Sequence, residues 1–240
     1  MSRYIVQAGW RDVPHLSDSD IEEMAASISP HQLEARMNGT PTLGAGAIYP
    51  VPEQEIVIEP FQMPAWWPRL YGLDVGWDRT AAVWGSLDRD TDTIYLYSEH
   101  YRGQAEAPVH AKAIRMRGEW IQGVIDTAAR GRSQTDGRSL WSLYEDEGLR
   151  LIKANKALEA GLLEVLDRLS TGRLRVFSTL QHWLEEYRLY RRDEKGRVVK
   201  ENDHLMDATR YLVMGIHHAT TRPAQKVQAE DPVGDPTAGY

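Results

Sequence analysis

Three aspartates stand where a carboxylate is costly unless it has a partner. Asp74 follows the apolar run Leu70 to Leu73 in YGLDVGWDRTAA, and Asp126 follows Val124-Ile125 in GVIDTAA. Asp207 lies beside the apolar stripe of NDHLMDATRYLVM, three residues after His204 and four after Asp203. Burying an ionised group without compensation is expensive, so carboxylates beside apolar runs call for an explanation. The chemistry they suggest is the holding of hard divalent cations. Such ions take oxygen ligands, and a chain with no cysteine offers only oxygen or imidazole. Two ions about 3.5–4 Å apart can activate a water and stabilise the leaving oxygen of a phosphodiester together. Asp74, Asp126, Asp207 and Asp203 are the candidate ligands for two Mg²⁺ or Mn²⁺ ions. His204 is a further ligand, a water-orienting group or a proton relay.

Each residue also has a plainer reading. Asp74 could cap the turn Val75-Gly76-Trp77-Asp78, and Asp126 could cap the segment after its strand. Asp203, or Asn202 before it, could be a helix N-cap. Asp207 is not explained that way, because it falls inside the helix. Glu99 ends IYLYSEHY and reads as structural or as an outer partner of the site, and Asp78 as a turn residue. The string Asp74-Val-Gly-Trp-Asp-Arg-Thr80 also resembles a phosphate loop of actin-like ATPases and sugar kinases. That reading needs a second phosphate loop downstream, and none is evident.

The elements that must position these acids follow from periodicity. Leu70–Val75, Thr80–Leu87 and Thr93–Glu99 read as three strands on short connections, hence an antiparallel meander. The period then switches. Helices are expected over Ala105–Arg117, Gly137–Glu147, Ala157–Leu169 and Thr179–Leu189, and strands over Trp120–Asp126, Leu149–Lys153 and Leu174–Phe177. A hairpin is expected around Glu194-Lys195-Gly196 and a last amphipathic helix over Asp203–His218. A meander followed by β–α units implies an α/β fold, a mixed sheet flanked by helices, in the element order of an RNase H-like fold. Asp74 and Asp126 then emerge at carboxyl ends of strands, where such sheets gather ligands. Ahead of this unit, a strand is expected at Arg3–Trp10 and helices at Ser17–Ser29 and Pro30–Met37. The Gly- and Pro-rich stretch Gly39–Trp67 reads as connector with little regular structure. Residues 220–240 read as a disordered tail.

The net charge of −7 argues, as a sum, against a nucleic-acid partner. Patterning argues otherwise. Between Arg168 and Lys200 nine basic residues, Arg168, Arg173, Arg175, Arg188, Arg191, Arg192, Lys195, Arg197 and Lys200, face four acids. The later part of this strip precedes the acidic helix, so Arg188, Arg191, Arg192, Lys195, Arg197 and Lys200 are candidate DNA-phosphate contacts that position without reading sequence. No apolar run reaches the ~20 residues of a membrane span, and the N-terminus has no signal-peptide pattern.

Three segments taken in order, GLDVGWDRTAAVWGSLDRDTDTIYLYSEHY, GVIDTAARGRSQTDGRSLWSLYEDEGLRLIKANKALEAG and VVKENDHLMDATRYLVMG, resemble the C-terminal nuclease domain of tailed-phage terminase large subunits. The resemblance runs over roughly residues 69–218. It implies an RNase H-like domain that uses two Mg²⁺ or Mn²⁺ ions to cut concatemeric double-stranded viral DNA, beside a terminase small subunit and a portal protein, in the cytoplasm of an infected or prophage-carrying bacterium. It places the family's strand-borne acids at Asp74 and Asp126, its helical acid at Asp207, and a metal-site histidine near His204. Residues 1–67 resemble the end of the terminase ATPase domain and its linker. No G-x-x-x-x-G-K-[ST] loop is present in the chain, so it is expected to lack the packaging motor, as an excised fragment or an encoded remnant. The alternatives are a RuvC-like resolvase or transposase nuclease, and a non-catalytic DNA- or portal-docking module.

Overall fold

The computed structural model describes residues 10, 13–14, 16–26, 46–126, 139–193 and 195–223. The helix α1 (Asp18–Ala26) starts at a reciprocal cap. Asp20 N donates to Ser17 Oγ at 3.3 Å, while Ser17 N donates to Asp20 Oδ2 at 2.9 Å. The strand expected at Arg3–Trp10 and the helix at Pro30–Met37 lie outside the described residues, Trp10 apart, as does the tail from residue 224 on.

Seven strands form one sheet: β1 (Val57–Ile58), β2 (Arg69–Asp74), β3 (Thr80–Asp88), β4 (Thr93–Arg102), β5 (Gln122–Ile125), β6 (Leu151–Lys153) and β7 (Leu174–Phe177). Their order across the sheet is β1-β7-β4-β3-β2-β5-β6. The meander β2-β3-β4 is antiparallel, and every other pairing is parallel, so β3 alone runs against the rest. This is the mixed sheet that the periodicities predict, here with the RNase H-like order of elements.

Alternation along the strands divides the interior in two. Leu70, Ala81, Val83, Ile94, Leu96 and Val124 face one core, which also holds α5 (Leu158–Ser170), α6 (Gln181–Leu189) and α7 (His204–Met214). Tyr71, Leu73, Ala82, Trp84 and Ile125 face the other, covered by α3 (Ala107–Arg115) and α4 (Leu140–Asp146). Side chains of period two thus feed both faces of a sheet buried on both sides.

The connector reading of residues 39–67 gives way where the structure describes them. Glu53–Ile56 forms the short helix α2, and Val57–Ile58 becomes the edge strand β1, paired with Val176-Phe177. Ile48, Tyr49, Val51 and Ile56 are buried in the first core. Local signals missed this because two residues of strand carry almost no periodicity. A ready-made edge on β7 supplied the partner. Thr220, the first residue of the expected tail, is tied by two backbone bonds to Arg69 at the start of β2.

The α3 face carries a histidine pair, with His110 buried and His100 partly so. His100 Nε2 lies 2.9 Å from His110 Nδ1, and His110 Nε2 lies 3.2 Å from the Ala105 carbonyl. A proton on His110 Nε2 serves the carbonyl, which leaves Nδ1 to accept from His100, so the pair is bonded with both rings neutral. Burial, then the neighbouring His110, Arg117 and Arg102, push His100 down to about 4. Burial also lowers His110. The unfolded chain therefore binds more protons than the folded one between about pH 6.5 and 4. Stability from this pair is complete above pH 6.5 and declines as pH falls through that window. After allowance for partial exposure the loss is about 1–2 kcal/mol. Urea melts of the wild type and His100→Gln from pH 7.5 to 4.5 check it: the wild-type slope against pH should flatten in the variant.

Candidate metal centre

Asp74 is the last residue of β2, and Asp126 directly follows the last residue of β5. These strands are parallel neighbours in register Leu73↔Ile125, so the two aspartates leave the same edge of the sheet side by side. The helix α7 crosses this region on the first face and packs on β2, β3 and β5. Its closest approach is at Gly72, where a Cβ would lie 1.8 Å from the Ala208 carbonyl oxygen. A glycine in the strand interior thus lets the helix backbone rest on the sheet backbone. The first turn of α7 is thereby brought to the end of β2.

His204 Nδ1 lies 2.8 Å from Asp74 Oδ2. The imidazole is raised above its ordinary range, by that bond first and against its partial burial. The Asp74 carboxyl is raised too. Burial is the main cause, opposed by His204 and reinforced by the charges of Asp207 and Asp203. Asp207 Oδ2 takes a bond from Lys200 Nζ at 2.8 Å, and Asp207 Oδ1 one from Arg210 at 3.0 Å. Lys200 Nζ also stands 2.9 Å from Asp203 Oδ2. Asp126 pairs with Lys156 at 2.8 Å. The Tyr211 phenol is driven up by burial first and then by the charges of Asp207, Asp74 and Asp126, against Arg210.

Asp74, Asp203, His204, Asp207 and Lys200 therefore form one cluster, and Asp126 flanks it on the next strand. Asp203 does occupy the N-cap position of α7, but its side chain makes no capping bond. The cap comes from a residue sequence reasoning passed over. Glu186 of α6 is 2% exposed and its Oε2 accepts from Leu205 N at 2.6 Å. Its carboxyl is raised, by burial first. A negative charge there suits the helix dipole and leaves the Asp203 side chain available to the cluster. A signal existed: in QHWLEEYRL, Glu186 is three residues from Trp183 and so shares the apolar face of its helix.

Glu99 is structural. It accepts from His182 N and Trp183 N at 3.1 and 2.9 Å and so caps α6. Asp78 is an exposed turn residue.

The basic strip is largely committed to intramolecular pairs. Arg188 forks onto Glu53 and Arg192 onto Glu159, while Arg197 pairs with Asp193. Arg168 is buried against Asp92 and Glu164, Arg173 binds Asp92 and Asp167, and Arg175 donates to the Glu55 carbonyl. Arg191 and Lys195 project from the exposed hairpin. That hairpin turns where predicted: Gly196 at φ +76° sits between Arg192 and Val198, which form an antiparallel bridge.

The donor set, carboxylates with one imidazole and no thiolate, fits a hard divalent cation. The Asp74 carboxyl is raised by burial first and then by the charges of Asp207 and Asp203, and a bound cation would favour its ionised form against both. Among the described residues no three of these groups converge on a single point; Lys200, Lys156 and His204 each pair with carboxylates of the set.

The family model described as the terminase RNaseH-like domain matches residues 71–215. The chain is 32% identical over 228 residues to the terminase large subunits of Enterobacteria phage LP7 and Salmonella phage P22. The match takes in 89% of this chain and 46% and 44% of those proteins, so the chain spans about half the length of the curated relatives it matches. The solved P22 large terminase nuclease domain superposes with a TM-score of 0.69 at 30% identity, over 75% of this chain and 97% of that one. The nuclease domain of the bacteriophage SPP1 large terminase, solved with bound Mn, shares the fold at a TM-score of 0.52 and 22% identity, over 70% of this chain and 98% of that one. With the mixed sheet, the paired strand-end aspartates and the acidic helix start, these matches establish that the chain belongs to the terminase RNase H-like domain family.

Proposed function

We propose that this chain is a two-metal-ion endonuclease that cuts concatemeric double-stranded viral DNA during genome packaging, as the nuclease part of a terminase large subunit. The carrying observation is the placing of the Asp74–His204 pair beside the Lys200-bridged Asp203 and Asp207 of the α7 start, at the carboxyl edge of the sheet, with Asp126 leaving the neighbouring strand beside Asp74. The nuclease domains of the P22 and SPP1 terminases, the latter with bound Mn, support the reading. Asp74, Asp126, Asp207 and Asp203 would hold Mg²⁺ or Mn²⁺. Bound there, two such ions supply an activated water and charge neutralisation at the leaving oxygen.

The chain's own residues supply the rest. The Asp74–His204 bond fixes the ring, so that the other ring nitrogen can orient a water or accept its proton. Arg210, buried on the far oxygen of Asp207, holds that carboxylate in one orientation. Arg191 and Lys195, with Lys200, Arg188, Arg192 and Arg197 once their acidic partners release them, would meet phosphates and position a duplex without reading bases. Residues up to 67 would be the end of the motor domain and its linker, with Ile48, Tyr49, Val51 and Ile56 packed into the core and Val57–Ile58 joined to the sheet. The terminase small subunit and portal are the expected partners, and the cytoplasm of the bacterial host is the expected place of action. Among the described residues no helix is long and apolar enough to cross a membrane.

The test is supercoiled plasmid incubated with purified protein in Mn²⁺, Mg²⁺ or EDTA. Nicked and linear forms should appear with either metal and vanish in EDTA. Cleavage that persists in EDTA would sink the metal mechanism, and no cleavage with any metal would favour a docking module.

A further inference from the structure

Lys200 ends the hairpin that leads into α7, and it differs from the other cations of the basic strip. Its ammonium lies 2.9 Å from Asp203 Oδ2 and 2.8 Å from Asp207 Oδ2, so a single charge serves two carboxylates. Those side chains are only 8% and 12% exposed, whereas the lysine side chain is 57% exposed. The stem thus reaches in from solvent and can swing out without unpacking the core. Arg210, the second cation on Asp207, is fixed by contrast: its side chain is 5% exposed and it holds the opposite oxygen, Oδ1. One oxygen of Asp207 therefore has a permanent partner and the other a removable one.

An ammonium and a divalent ion seek the same carboxylate oxygens, and their mutual repulsion at short range forbids both. We infer that Lys200 is a built-in counter-cation standing where a divalent ion binds, and that it sets the metal affinity of the site because the ion must displace it. This rests on the metal-centre reading given above. Without metal, the lysine keeps Asp203 and Asp207 from repelling each other beside Asp74. With metal, it is expelled toward the surface on which the basic hairpin lies.

The test compares the wild type with Lys200→Met, Lys200→Gln and Lys200→Arg. Mn²⁺ binding is followed by the loss of the free-ion electron paramagnetic resonance signal, and melting temperatures are taken in EDTA and in saturating Mn²⁺. The two neutral variants should bind Mn²⁺ roughly tenfold tighter than wild type, and Lys200→Arg no tighter. The neutral variants should melt lower in EDTA, with the deficit closing in Mn²⁺. A variant unfolded in EDTA but folded in Mn²⁺ is the extreme of that result. Equal or weaker Mn²⁺ binding by both neutral variants, or a melting deficit the same in both conditions, would make Lys200 an ordinary structural ion pair and overturn the inference. Absence of Mn²⁺ binding in all four proteins would instead overturn the metal-centre reading itself.

Discussion

Asp74→Asn should lower metal-dependent nicking by roughly a thousandfold or more, the rate counterpart of about 4 kcal/mol of lost stabilisation. The amide keeps the size of the carboxylate and can still accept a bond from His204, so packing at the end of β2 is retained. What it loses is the negative charge that a divalent cation requires. The same change should leave the fold intact or strengthen it. The carboxyl of Asp74 is raised by burial and by Asp207 and Asp203, so the folded protein holds this proton more tightly than the unfolded chain. A raised acid disfavours folding while ionised: its cost is present at neutral pH and disappears as pH falls below the unfolded value near 4. Loss of the charge-assisted bond to His204 offsets part of the gain. Melting temperature at pH 7.5 should therefore match or exceed that of wild type, with the difference shrinking toward pH 4. Plasmid cleavage and calorimetry on one preparation check both halves. Wild-type cleavage by a folded Asp74→Asn protein would remove Asp74 from the site, and a collapse in melting temperature would make its role structural.

Gly72→Ala should cost about 3 kcal/mol or more of stability, in the range reached only by severe overpacking. The added methyl would meet the Ala208 carbonyl oxygen at 1.8 Å, its carbon at 2.7 Å and Leu212 N at 3.2 Å. All three are backbone atoms of α7, so no side chain can turn away and the helix itself must lift. Lifting it separates His204 and Asp207 from Asp74. Activity should therefore fall further than the unfolded fraction accounts for, even at temperatures where the variant is folded. Urea melts give the first quantity, and cleavage per folded molecule at low temperature the second. A variant with wild-type stability would show that the contact between β2 and α7 is looser than described.

The sequence carried the acids and most of the scaffold, for a simple reason. Short, nearly continuous apolar runs in Arg69–Asp74 and Thr80–Asp88 mark strands buried on both faces, and helical spacing in His204–Met214 marks a packed helix, so burial is written locally. A carboxylate at the end of an apolar run is equally local, so Asp74, Asp126 and Asp207 could be picked out and their gathering at one sheet edge anticipated. Other features depend on residues far apart in the chain. Val57-Ile58 is a strand only because β7 offers it an edge, about 120 residues later. Glu186 is the cap of α7 only because α6 packs beside it, which left Asp203 without the capping role its position suggested. The basic strip looked like one cationic surface, yet Arg188 and Arg192 are neutralised by Glu53 and Glu159, which no local pattern links to them. Composition and spacing set which side chains are present and which face they take. Which charge meets which depends on how the helices cross the sheet, and only the tertiary structure decides that, because a Coulomb interaction acts through the distance in space and not along the chain.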